Sequence, residues 1–97
     1  MSYNIVIIKR VYNQLVNAVE WYLENVPGHE KRLLKDFDRT LSFIQKNPFK
    51  CQIRYDDIRI CFLDTYKFGI HYQVQRKTIF ILGFFHMHQT NENWKFE

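Results

Sequence analysis

The sequence predicts an α+β fold of order β-α-α-β-β-β-β, with a helical hairpin packed on one face of a mainly antiparallel twisted sheet. Three observations predict it. Apolar residues recur at helical spacing in two stretches separated by Pro27-Gly28. From Cys51 onward the apolar period shortens from about 3.6 to about 2 residues. A β-branched run precedes the first helix.

Tyr3 to Ile8 reads as a strand apolar on both faces, which places it inside the sheet. Val11, Leu15, Ala18, Val19, Tyr22 and Val26 make one helical stripe, which stops at Pro27-Gly28. Leu33, Leu34, Phe37, Leu41 and Ile44 make a second, with Lys31, Arg32, Lys35, Asp36, Asp38 and Arg39 on its outer face. That helix ends near Asn47, because the residue before Pro48 is pushed out of helical geometry. Two helices joined by so short a link form an antiparallel hairpin. Cys51 to Tyr55 and Ile58 to Leu63 flank Asp56-Asp57, a tight turn. Phe68, Ile70, Tyr72 and Val74 alternate with Gly69, His71, Gln73 and Gln75, as in a half-buried strand. Arg76-Lys77 turns the chain into Thr78 to Phe85, apolar on both faces and therefore central. The last four strands form a meander.

The length of 97 residues fits one domain over residues 1–97. With 46% hydrophobic and 18% aromatic residues, the chain has the material for a packed core. A formal charge of +4 suits an anionic partner such as nucleic acid or an acidic peptide. No apolar run approaches the roughly 18 residues a membrane span needs, and Met1-Ser2-Tyr3-Asn4 does not begin a signal peptide. Two cysteines are few for a secreted domain, so the expected compartment is the cytoplasm.

If Asp56-Asp57 is a two-residue loop, Tyr55 faces Ile58, Ile53 faces Ile60 and Gln52 faces Cys61. Cys51 and Cys61 then point to opposite faces and cannot bond. His86 and His88 share one face of an extended segment, with His71 as a third imidazole, but their spacing matches no metal motif; no metal and no cofactor are expected. His29 reads as surface. There is no phosphate-binding glycine loop and no nucleophile elbow. With Ile53, Tyr55, Ile58, Ile60 and Phe62 toward the helices, the opposite face carries Arg54, Arg59, His71 and Gln73. Arginine forks can grip phosphate there, while the amide and imidazole position a sugar or base.

Ala18-Val19-Glu20-Trp21-Tyr22 resembles an A-x-x-W-Y motif, and Phe37 to Asn47-Pro48 resembles F-x-x-x-L-x-x-I-x-x-x-P. Tyr55-Asp56-Asp57-Ile58-Arg59 is similar to a run into a third-strand arginine. Tyr66 to Tyr72 resembles F-P-Y-x-I-x-Y, and Phe85-His86 through Trp94 resembles F-H-x-x-R-x-P-x-x-W. In that order these motifs resemble the RelE/ParE toxin superfamily, on its ParE-like side, over nearly the whole chain. The resemblance implies a plasmid-stabilisation-type toxin of a type II toxin–antitoxin module, neutralised by a cognate antitoxin. ParE-like members poison DNA gyrase without catalysis. RelE-like members are metal-independent endoribonucleases acting on the ribosome and its mRNA, for which Arg59, His86 and His88 would be the catalytic residues. Target or RNA binding would fall to Arg54, Arg59, His71, Gln73, Arg76, Gln89 and Trp94, and antitoxin binding to Trp21, Tyr22, Lys31, Arg32 and Lys35. A homodimer or a hetero-oligomer with antitoxin would both suit such a module. Gln89 and Asn91 replace the tail arginine and proline, and Lys67 the proline of F-P-Y, which leaves a degenerate toxin retained for binding as a further alternative.

Overall fold

In the computed structural model, which describes residues 3–87, strand β1 (Asn4–Ile7) leads into helices α1 (Lys9–Asn25) and α2 (His29–Lys46). Strands β2 (Ile53–Tyr55), β3 (Ile58–Phe62), β4 (Phe68–Gln75) and β5 (Thr78–His86) follow. The sheet order is β1-β5-β4-β3-β2, with β1 parallel to β5 and every other pair antiparallel. The expected α+β order and mainly antiparallel sheet are therefore present.

The hairpin forms where the breakers lie. Gly28 sits at φ 100, a left-handed conformation that side chains disfavour. The Glu30 carboxylate then accepts the Gly28 N–H at 2.7 Å, satisfying a donor at the start of α2. At the other end Asn47 N–H donates to the Phe43 carbonyl, and Pro48 follows.

Val11, Ala18, Leu33, Phe37 and Ile44 from the helices meet Cys61, Ile70, Tyr72, Ile79, Ile81 and Phe84 from the sheet. Tyr72 is fully enclosed, and its hydroxyl donates to the Pro48 carbonyl at 2.9 Å. Beyond the short β1, the Phe84 N–H donates at 2.8 Å to Gln14 Oε1, so α1 takes over an edge of β5 that no strand covers.

Four sets of expectations need correction. The first strand is not interior: β1 lies at one end of the strand order among the described residues, with Ile5 and Ile7 packed on the core and Val6 43% exposed. Its position follows from β5, whose other edge already pairs with β4. Leu34 is exposed at the flank of α2, and His29 is half-buried rather than surface, with Nδ1 sharing a 2.9 Å hydrogen bond with the Tyr66 hydroxyl. Asp36 is 2% exposed rather than on the outer face. Its carboxylate accepts N–H donors of Asp64, Thr65 and Tyr66 at 3.3, 2.9 and 3.3 Å, so it organises the β3–β4 turn.

The fourth correction concerns register. Tyr55 does face Ile58, but Ile53 faces Arg59, not Ile60. Arg54 is thus an extra residue, a β-bulge, and every residue before it changes face. The face assignment of β3 inverts as well. Arg59 and Cys61 pair with Tyr72 and Ile70 on the helix-covered face, while Ile60 and Phe62 pair with His71 and Gly69 on the other. Gly69 is required there, because a Cβ would stand 2.7 Å from Ile60 Cγ2.

Candidate functional site

Two regions concentrate polar chemistry. The first is the sheet face away from the helices. His71 is 1% exposed and shares a 2.7 Å hydrogen bond between its Nδ1 and the Tyr55 hydroxyl. The Arg10 guanidinium, from the first turn of α1, lies 4.9 Å from the centroid of the Phe85 ring, and that ring packs against His71 at 4.9 Å. Burial and then the Arg10 charge push the His71 pKa down to about 4, so the imidazole is neutral at neutral pH. Burial pushes the Tyr55 hydroxyl up to about 12, Arg10 pulling it back somewhat and Asp56 adding to the rise. Two neutral groups held this way form a rigid polar pair beneath a cation, which suits orientation of an anionic partner better than proton transfer near neutrality.

The second region is a cleft of about 480 Å3 beside the outer edge of β3. Arg39, Lys50 and Arg54 bring three cations to it against the single carboxylate of Asp64. Cys51 and Cys61 lie in its wall. Arg54 reaches it because it is the bulge residue, with its guanidinium 5.5 Å from the Phe62 ring centroid.

Arg54, His71 and Gln73 therefore remain on or beside one region of sheet, but Arg59 does not join them. Its guanidinium donates to the carbonyls of Phe49 at 3.2 Å and Cys51 at 2.7 Å and lies 5.2 Å from the Phe49 ring centroid. His86 pairs with Phe68 at the far end of β4, while Arg59 pairs with Tyr72 two strands from β5. Strand spacing puts the two about 10 Å apart across the sheet and about 13 Å along it. They are not brought together. Arg76 occupies the β4–β5 turn at φ 57, exposed. His88, Gln89 and Trp94 lie outside the described residues.

On the hairpin, Tyr22 packs edge-on against Tyr66 at 5.2 Å, and exposed Trp21 packs edge-on against Tyr22 at 5.0 Å. Lys31, Arg32 and Lys35 are exposed at the same end, since the helices run antiparallel. Tyr12, Val16 and Leu23 are 53%, 53% and 54% exposed, and their spacing aligns them as a second apolar stripe on α1. Sequence reasoning missed Arg10, Tyr55 and this stripe. The stripe had a visible signal, since Tyr12, Val16, Val19, Leu23 and Val26 recur at helical spacing beside the core residues.

Among the described residues no helix is long and apolar enough to cross a membrane, and no group of three metal-ligating side chains converges. No protein-family model and no curated protein matches the chain. Among solved structures, a chain of the chromosomal ParDE TA system from P. aeruginosa superposes with a TM-score of 0.79 at 14% identity, covering 89% of this chain and 97% of that one. At that identity the likeness is one of fold, and the fold is ParE-like.

Proposed function

We propose that this protein is the toxin of a type II toxin–antitoxin module, ParE-like in action, which inhibits growth by binding DNA gyrase and is neutralised by a cognate antitoxin. The observation that carries the reading is the whole-chain fold shared with a chain of a ParDE system, reached from motifs spread over the same length. The uncovered apolar stripe of α1, with Lys31, Arg32 and Lys35 at one end of the hairpin, suits an acidic amphipathic antitoxin segment, and Trp21 and Tyr22 belong to the same surface. The target would meet the opposite side of the sheet around Arg54, Gln73 and Arg76; His71, proposed for this role from the sequence, is buried and would act only by holding Tyr55.

The alternative is a RelE-like ribonuclease using Arg59, His86 and His88. Against it stands the engagement of Arg59 with two main-chain carbonyls, far from His86. Induced expression in a bacterial host without antitoxin separates the two. Growth arrest with induction of the DNA-damage response and intact bulk mRNA is the expected outcome. Rapid mRNA cleavage, lost in Arg59→Ala, would transfer the assignment to the ribonuclease.

A further inference from the structure

The bulge at Arg54 has brought together two thiols that an unbulged hairpin would keep apart. The pairing of Ile53 with Arg59, extended ahead of β2, would set Gln52 opposite Ile60 and Cys51 opposite Cys61. The Ile60 N–H donates to the Gln52 carbonyl at 3.3 Å, so that pair is the hydrogen-bonded one. The adjacent pair, Cys51 and Cys61, then occupies a non-hydrogen-bonded position. Opposed Cα atoms at such positions lie about 4.5 Å apart with their side chains close. That falls within the roughly 4.4–6.8 Å span of natural disulfides. Both are free thiols here, and both line the same cleft.

We infer that Cys51 and Cys61 are a cross-strand redox pair, closed to a disulfide by a peroxide through attack at the cleft-facing Cys51. Cys51 is half-buried and Cys61 buried, so an oxidant entering the cleft meets Cys51 first. Arg39, Lys50 and Arg54 line the same cleft. The Cys51 sulfur, giving up its thiol proton, attacks one peroxide oxygen, the O–O bond breaks, and the departing hydroxide takes up that proton, so a sulfenic acid and water result. The sulfur of Cys61 then displaces the sulfenic hydroxyl as a second water, with its thiol proton. In sum two thiols and one hydrogen peroxide give one disulfide and two waters. Burial pushes the Cys61 thiol well up, so it reacts as the thiol and its proton leaves with the sulfenic hydroxyl.

The bond has a structural consequence. The Arg59 guanidinium is held by the carbonyls of Phe49 and Cys51, and Lys50 to Gln52 wall the basic cleft. Closing the pair fastens this segment to β3 and fixes both features. The inference does not depend on the toxin reading.

The test uses the full chain treated with hydrogen peroxide, then unfolded and alkylated. The expected product is a monomer lighter by two hydrogen masses, with neither cysteine alkylated and a peptide joining Cys51 to Cys61. Dithiothreitol restores both thiols, and the oxidised form melts higher by on the order of 10 °C. The variant Cys61→Ser should instead stop at a sulfenic acid on Cys51, which a dimedone probe traps. Disulfide-linked dimers through Cys51 with Cys61 still alkylated, or stable Cys51 sulfenic acid in the unaltered chain, would overturn the pairing. So would an oxidised monomer that melts below the reduced one.

Discussion

Asp36 concentrates more consequence than any other charged side chain in the described core. It sits on α2 yet accepts three backbone N–H groups of the β3–β4 turn, with Arg39 3.9 Å away as its ion-pair partner. Arg39 is largely solvent-exposed, so the ion pair adds little and the N–H donors carry the stabilisation. Asp36→Ala should cost about 2 kcal/mol, because it strands the buried Tyr66 donor and loosens the part-buried Asp64 and Thr65 donors of the turn. Asp36→Asn, which keeps an acceptor oxygen, should cost about half as much, and urea unfolding of the two variants measures the difference. His71 carries the second consequence. Its folded pKa of about 4 lies below the ordinary 6.5, so the fold refuses a proton that the unfolded chain accepts. Its contribution is whole above pH 6.5 and is lost as the pH falls toward 4, a total of about 3 kcal/mol. Urea midpoints at pH 7.5 and 4.5 should therefore differ more for the unaltered chain than for His71→Gln. Equal differences would remove His71 as the cause.

At the scale of elements, the β2–β3 hairpin turns through Asp56 and Asp57 at φ 45 and φ 62, the mirror-image turn that suits strand twist. Asp57→Gly should raise stability by about 0.5 kcal/mol, since glycine takes that conformation without a Cβ penalty. A lower thermal midpoint in that variant would mean that Asp57 is held by something other than the turn. The same hairpin marks where the sequence stops being readable. The helices were legible because Pro27-Gly28 and Pro48 bracket two continuous stripes, and the meander was legible because alternation resumes after each turn. The bulge leaves no comparable mark, since Arg54 differs in nothing from an ordinary exposed strand residue. One unmarked extra residue left Ile53 on the expected helix-covered face but turned Tyr55 to the other, while the face of β3 was set by its pairing with β4. Asp36 escaped for a different reason. Its partners lie 28 to 30 residues away, and only the closed fold presents their N–H groups to it. Arg10 reads locally as a helix-start residue, and its place over Phe85 depends on tertiary approach.

At the scale of the whole molecule, the hairpin and the sheet divide the surface into two sides. One carries the uncovered stripe of Tyr12, Val16 and Leu23 and the basic start of α2. The other carries the far sheet face, where Tyr55 and His71 lie among Ile60, Phe62 and Phe85, with Arg59 on the helix-covered side. A fold held in common with a ParDE chain at 14% identity does not by itself specify chemistry, so the functional claim rests on what the protein does to its target. The most direct measurement adds the purified full chain to DNA gyrase with relaxed plasmid and ATP. The account predicts dose-dependent loss of supercoiling with accumulation of cleaved plasmid. Supercoiling that proceeds unchanged at a large molar excess of the protein would contradict it.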